Sequence, residues 1–313
     1  MRDSTPSLVV LVGATATGKT RLALEVAREF EAPLELISLD SRQIYRGLDL
    51  GTGKPSLEER QELPHHLVDI IDPDERFDAG RYRRRVEELL PGLFARKVTP
   101  IVVGGAGFYL RALQEGFFDL PEDPELLAEL RREWKQLSGE ELSRRLHEVD
   151  PERAAQLHPN DRYRLERALE IHALSGKSMS ELAREFRPSP VVGLKLRVFH
   201  LQETRWKLHA KIASRAEQWL HGGWIEETRE LLQKGWGRDS PGLSILGYRE
   251  IVSFLENPGP SEELFERVLV STRRYARQQE IWFRKTEVEL RATPENPALK
   301  SQLLKALRES ASS

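Results

Sequence analysis

Near its amino end the chain carries the apolar run Leu8-Val9-Val10-Leu11-Val12, which passes into Gly13-Ala14-Thr15-Ala16-Thr17-Gly18-Lys19-Thr20. Helical spacing follows, with Leu22, Val26 and Phe30 at i, i+4 and i+8, an apolar face suited to covering a sheet. A strand, a glycine-bounded loop and a helix in this order make a P-loop, which holds a polyphosphate. Backbone N–H groups of the loop wrap phosphate oxygens, and the helix turns its positive dipole end toward them. Within this motif Lys19 reaches a terminal phosphate and the Thr20 hydroxyl ligates Mg²⁺, while Gly13 and Gly18 allow turns and approaches that a Cβ would block. The motif names a ligand class and leaves the reaction open.

Strand-like runs recur at Leu34–Leu39, His66–Ile71, Pro100–Val103 and Leu194–Leu201, and helical patterns at Thr20–Phe30 and Ala79–Phe94 lie between several of them. Such alternation predicts an α/β fold, a parallel sheet with helices on both sides. Between Pro121 and Pro190 the pattern is almost wholly helical and punctuated by prolines. Residues 121–190 are therefore expected to be a helical insertion, and residues 1–120 with 191–313 the core. The stretch Glu203–Leu307 is expected to be mostly helical, with breaks around Gly235–Gly247 and Asn257–Pro260, and Glu309–Ser313 to be frayed.

With 313 residues, 39% hydrophobic and 31% charged, the chain has material for about two globular domains with a polar surface. It has no cysteine, which excludes disulfides and cysteine-containing zinc sites. No run reaches the roughly 18 apolar residues of a spanning helix, so the expectation is a cytoplasmic protein with no membrane partner. A net charge of −2 argues against indiscriminate nucleic-acid binding. Positive charge concentrates in the C-terminal part as stripes, which suit either a shaped anionic partner or a solvated helix face.

The second strand ends in Ser38-Leu39-Asp40-Ser41-Arg42-Gln43. Ligands of open α/β sheets sit beyond the carboxyl ends of the strands, so Asp40 falls near the phosphate loop as a base or a holder of metal-bound water. A solvated or capping aspartate is the alternative. Ile101-Val102-Val103 runs into Gly104-Gly105 with no acid at its end. The Mg²⁺-holding acid of P-loop ATPases is thus missing from its most obvious place, which counts against a motor or a switch. The Gly104-Gly105-Ala106-Gly107 turn suits either close ligand approach or a tight connection. His65 and His66, adjacent on a strand, face opposite sides and cannot chelate one ion together. Ser271–Lys285 mixes Arg273, Arg277, Tyr275, Gln279 and Trp282 on helical faces, the composition of a nucleic-acid surface or of an amphipathic helix with Trp282 and Phe283 in the core. Lys207, Lys211 and Arg215 repeat every four residues, and Arg162, Arg164 and Arg167 cluster after Asn160-Asp161.

These motifs, in this order, resemble the tRNA dimethylallyltransferase (tRNA isopentenyltransferase) family. The resemblance rests on Gly13–Thr20, Asp40–Arg46, Asp49–Pro55, His65–Asp69, Val103–Tyr109, Asn160–Glu170, Gly247–Glu250 and Thr272–Arg284, which span nearly the whole chain. Asp40–Pro55 is the most diagnostic. The family's eukaryotic members carry a C-terminal zinc finger; this cysteine-free chain is similar to the short bacterial type.

The resemblance implies a P-loop NTPase-like core and transfer of a dimethylallyl group from its diphosphate to N6 of the adenosine 3′ to the anticodon, with pyrophosphate released. It implies that Gly13, Ala14, Thr15, Ala16, Thr17, Gly18, Lys19 and Thr20 bind the donor diphosphate. Thr20 is the Mg²⁺ ligand, Asp40 the general base, and Arg215 a catalytic arginine against the pyrophosphate, with Lys211 as the rival for that role. It further implies tRNA contacts by Asp40, Ser41, Arg42, Gln43 and Ala106, and by Tyr163, Arg164, Leu165, Glu166 and Arg167, with the insertion clasping the anticodon stem-loop. A monomer is expected. Ala106 replaces the family's usual threonine, Ala14 a common proline and Lys211 an arginine; Leu127 stands where an arginine is frequent, and Arg277-Gln278 stands for Lys-Arg. These departures touch RNA affinity and leave Lys19, Thr20 and Asp40 in place. The alternatives are a P-loop small-molecule kinase and an isopentenyltransferase acting on free adenine nucleotides.

Overall fold

A computed structural model describes residues 6–116, 120–121 and 123–312. The chain divides into two compact units, Met1–Gln114 with Pro190–Ser313, and Glu115–Ser189. The helical unit thus begins earlier than the prolines suggested.

In the larger unit the order is β1 (Ser7–Val12), α1 (Lys19–Glu29), β2 (Leu34–Leu39), α2 (Leu57–Glu62), β3 (His65–His66), α3 (Ala79–Ala95), β4 (Thr99–Gly104) and α4 (Gly107–Glu115). The helical unit supplies α5 (Pro124–Trp134), α6 (Gly139–Val149), α7 (Pro151–Ala154), α8 (Arg162–Ser175) and α9 (Met179–Glu185). The larger unit resumes with β5 (Lys195–Leu201), α10 (Arg205–His221), α11 (Trp224–Gln233), α12 (Tyr248–Glu256), α13 (Ser261–Arg284), β6 (Leu290–Ala292) and α14 (Pro297–Ala311).

The six strands form one sheet in the order β3-β2-β4-β1-β5-β6, every neighbouring pair parallel. Strands buried on both faces read as near-continuous apolar runs, as Leu8–Val12 of β1 does; β2 is equally buried but carries Glu35 and Ser38 among its apolar residues. Alternate residues such as Val9, Leu11, Ile101, Val103 and Phe199 pack on one side with Leu22 and Val26 of α1 and Leu303 and Leu307 of α14. A second core joins Ile44, Tyr45 and Leu48 to the apolar faces of α10 to α13. The helical unit closes its own core around Trp134, Leu142, Leu146 and Leu165.

The structure revises three details. The run His66–Ile71 makes strand only at its start, because Leu67 (φ 60°) and Asp69 (φ 57°) turn into the left-handed region. Ile71 keeps a single bridge to Tyr45. β6 interrupts the helical C-terminal stretch, held by parallel pairing of Phe199, His200 and Leu201 with Leu290, Arg291 and Ala292. Residues 309–311 are helical and not frayed: Ser310 Oγ donates to the Ser7 carbonyl, and Arg197 Nη1 binds Glu309 Oε2 at 2.5 Å. Ser313 lies outside the described residues.

Candidate active site

The phosphate loop joins the carboxyl end of β1 to α1. Gly18 caps the helix at φ 94°, a conformation that glycine adopts without strain, and Ala16 shares the left-handed region at φ 64°. Thr17, fully buried, donates its hydroxyl to the Ala14 carbonyl at 2.8 Å and so closes the loop. Lys19 and Thr20 open α1, where backbone N–H groups lack intrahelical acceptors. Lys19 Nζ donates to the same Ala14 carbonyl at 2.8 Å. Burial lowers the Lys19 pKa to about 8, with Arg215 acting in the same direction and Asp40 and Glu280 opposing. An anion at this place would restore the full positive charge.

Gln279 of α13 braces the loop. Its Oε1 accepts from Thr15 N at 2.8 Å, and its Nε2 donates to the Gly105 carbonyl at 2.8 Å. Gly105 must lack a side chain here, since a Cβ would stand 2.3 Å from Gln279 Nε2. The Gly-Gly-Ala-Gly turn after β4 is therefore packed against the phosphate loop through one glutamine. Ala106 takes part by its backbone, donating to the Leu39 carbonyl at 3.0 Å. Sequence reasoning placed Gln279 on a helical face and gave it no role. Its place on the helix was legible, but its partners were not.

Asp40 stands just past β2. Its Oδ1 accepts from the backbone N–H of Arg42 at 2.8 Å and of Gln43 at 3.4 Å, a local turn that fixes the carboxylate. The Gln43 side chain is fully engaged, accepting from Ser38 Oγ at 3.0 Å and donating to the Gly53 carbonyl at 2.9 Å. The Arg42 guanidinium lies 3.7 Å from the centroid of the Tyr275 ring. Ser41 is half-buried beside them.

Arg215 and Lys211 both line the cavity, and Arg215 is the one bonded to the loop. Its Nη2 donates to Thr15 Oγ1 at 2.6 Å, and its guanidinium stacks 4.5 Å from the Trp219 ring centroid. Burial, and then the nearby Arg42, lower its pKa to about 10 against the pull of Asp40. Lys211 is instead bonded to Glu203 Oε2 at 2.6 Å.

One cavity of about 730 Å³ joins these groups. Thr15, Lys19, Thr20 and Arg215 line it together with Asp40, Arg42, Gln43 and Tyr275. Ile212, Ala216, Trp219, Trp224, Leu246 and Val268 give it an apolar stretch. The phosphate loop and the candidate base thus share one enclosure, rich in cations and partly greasy.

In the helical unit, Tyr163 is exposed at the start of α8, and Arg164 pairs with Asp161 at 3.0 Å. Leu165 is fully buried in that unit's core, so its side chain packs helices and presents nothing to a partner. Glu166 is bonded to Arg162 at 2.8 Å, and Arg167 to Glu170 at 3.1 Å. Arg162 also donates to the carbonyls of Leu137 and Trp134, so it belongs to the fold of the unit and not to an outward cluster. His65 Nδ1 lies 2.5 Å from the Leu63 carbonyl and His66 Nε2 2.6 Å from Glu35 Oε2. Among the described residues no group of three histidine or acidic side chains could hold a metal.

A parallel sheet with a glycine-bounded loop between its first strand and first helix, opening on a cation-lined cavity, defines a P-loop NTPase-like fold. Comparison with known proteins narrows the class. The IPP transferase family model matches residues 43–286, and a second model, isopentenyl transferase, matches residues 6–71. The tRNA dimethylallyltransferase 1 of Citrifermentans bemidjiense is 42% identical, the alignment covering 89% of each chain. The tRNA dimethylallyltransferase of Thermomicrobium roseum is 41% identical over 89% of this chain and 83% of its own. Among solved structures, the full-length tRNA isopentenylpyrophosphate transferase of Bacillus halodurans superposes with a TM-score of 0.68 at 31% identity, covering 98% of both chains. A eukaryotic dimethylallyltransferase acting on tRNA gives a TM-score of 0.79 at 25% identity, over 95% of this chain and 77% of its own. The chain belongs to the tRNA dimethylallyltransferase family.

Proposed function

We propose that this enzyme transfers a dimethylallyl group from dimethylallyl diphosphate to N6 of the adenosine 3′-adjacent to the anticodon of tRNA, releasing pyrophosphate. The observation that carries the reading is the single cavity that holds both the Lys19–Arg215 anion cradle and the Asp40 carboxylate.

The donor diphosphate lies against Lys19, Arg215, the Thr15 hydroxyl and the N–H groups of the loop from Gly13 to Thr20. These donors stabilise the charge that develops as the C–O bond breaks. The N6 nitrogen attacks the freed allylic carbon, the C–N bond forms, and Asp40 takes the amine proton. The Arg42 and Gln43 N–H groups hold Asp40 Oδ1, which leaves Oδ2 to receive it. The apolar stretch of the cavity suits the alkyl chain.

A metal fits this donor set. Magnesium binds through one or two protein groups together with phosphate oxygens and water, so an acid-poor site with one placed hydroxyl is sufficient. Thr20 would hold the ion. When bound, magnesium offsets charge on the diphosphate.

The adenine must leave its stack to enter, at a cost of a few kcal/mol. Ser41, Arg42, Gln43 and the Ala106 backbone surround the place where it would lie. The Arg42–Tyr275 stack offers a flat polar surface for it. The helical unit grips the anticodon stem-loop through Tyr163, Arg164 and Arg167. We take the working form to be a monomer. No helix among the described residues is long and apolar enough to cross a membrane, and a cytoplasmic place beside the tRNA pool agrees with that.

The test is nucleoside mass analysis of tRNA incubated with purified protein, Mg²⁺ and dimethylallyl diphosphate. An adenosine heavier by one prenyl unit is expected. Unchanged adenosine overturns the assignment.

A further inference from the structure

On α10 three of the four lysine and arginine side chains are bonded within the protein. Lys207 binds Glu295 at 2.7 Å, Lys211 binds Glu203 at 2.6 Å, and Arg215 reaches Thr15. Arg205 and His209, one turn apart on the same helix, have no hydrogen bond or ion pair with the described residues. Arg273 of α13, which packs along α10, has its Nε buried without a hydrogen-bond partner. The three side chains sit within electrostatic reach of one another: after burial, Arg273 and Arg205 are what push the His209 imidazole below its ordinary range. Both charged groups acting on that ring are cations. Glu203 and Glu295, the acids at the ends of the neighbouring segments, are already taken by Lys211 and Lys207. A buried guanidinium N–H without an acceptor calls for one supplied from outside.

We propose that Arg205, His209 and Arg273 form a notch on the α10–α13 pair that binds a backbone phosphate of the tRNA. None of the three lines the reaction cavity, so this contact anchors the RNA and does not touch the reacting atoms. Two guanidinium groups and an imidazole match a phosphate, whose several acceptor oxygens take paired N–H donors. Trp206, 70% exposed beside Arg205, adds a ring on which a nucleotide can rest. The inference rests on the reading of tRNA as substrate and adds a place on the protein for its backbone.

The experiment measures tRNA binding and turnover across a salt series for the full chain, for Arg205→Gln with Arg273→Gln, and for Lys207→Gln as a cation already neutralised internally. Loss of a phosphate contact makes the slope of log affinity against log salt shallower by about 1. The double variant should show this, with a several-fold higher KM for tRNA and unchanged kcat and KM for dimethylallyl diphosphate. Lys207→Gln should keep the wild-type slope. A double variant that matches Lys207→Gln overturns the notch. A rise in the KM for the diphosphate donor, with the tRNA slope intact, assigns the cluster to free phosphates and overturns its RNA role. If Arg273→Gln lowers thermal stability, exposed Arg205→Gln carries the test alone through the same slope. Wild-type protein that leaves tRNA unmodified defeats the functional reading itself, a result distinct from a failed notch.

Discussion

Asp40 is useful because its neighbours hold it still. Two backbone N–H groups fix one oxygen and leave the other for a proton, within a cavity whose other charged lining residues, Lys19, Arg21, Arg42, Lys211 and Arg215, are all cations. Asp40→Ala removes the base, and turnover should fall by about 10²–10⁴. Single-turnover prenylation measures the rate, and filter binding should show tRNA affinity largely kept. Gln279 makes a different kind of contribution. Gln279→Ala leaves the Thr15 N–H and the buried Gly105 carbonyl without partners, a cost of about 1–3 kcal/mol for each unsatisfied group. Urea unfolding should register that loss, and the KM for the diphosphate donor should rise because the loop is no longer braced. A glutamine that merely fills space would lower stability without moving KM. Legibility at this scale was uneven. Lys19 and Asp40 were readable because their partners are local backbone. Gln279 was not, because its partners lie far away in the chain.

Elements of this protein owe their form to local pattern and their place to distant contacts. The segment after β2 illustrates both. Its loop at Asp49–Gly53 is tied to α11 and α12. Tyr248 Oη donates to Glu227 Oε1 at 2.5 Å and accepts from Gly51 N at 3.1 Å, while Glu227 Oε2 accepts from Leu50 N at 3.0 Å. The Gly53 carbonyl in turn accepts from Gln43. Tyr248→Phe cuts this tether and should lower stability by about 1–3 kcal/mol. The check is a urea titration, read beside hydrogen exchange at residues 49–53; protection unchanged there would show that the tether is idle. The strand read at His66–Ile71 failed because its alternation says nothing of Lys54 and Arg60, which both bind the Asp69 carboxylate in its left-handed turn. β6 escaped notice because three residues carry too little pattern, and only pairing with β5 makes them a strand. α13 was read as either a nucleic-acid face or a core helix. Phe283 is fully buried, Trp282 is partly exposed, and Gln279 and Tyr275 line the cavity.

For the whole molecule the division of labour follows the two units. Every residue lining the cavity belongs to Met1–Gln114 or Pro190–Ser313. Replacing Glu115–Ser189 by a short Gly-Ser linker should therefore keep diphosphate binding, measured by calorimetry with pyrophosphate and Mg²⁺. The same variant should lose prenylation of tRNA, and full activity on tRNA would show that the helical unit does not serve recognition. The sequence by itself determined the parallel α/β core, the glycine-bounded loop, the helical insertion and the position of Asp40 at the end of β2. Each of these is written in short-range periodicity, in glycine and proline placement, or in a contiguous motif. Only the tertiary structure decided that Arg215 and not Lys211 faces the loop, that Gln279 braces it, that Leu165 turns inward, and that Asp40 shares an enclosure with Lys19. Those facts depend on which faces of α8, α10 and α13 are buried against which neighbours, and burial is a property of the packed chain that local pattern does not carry.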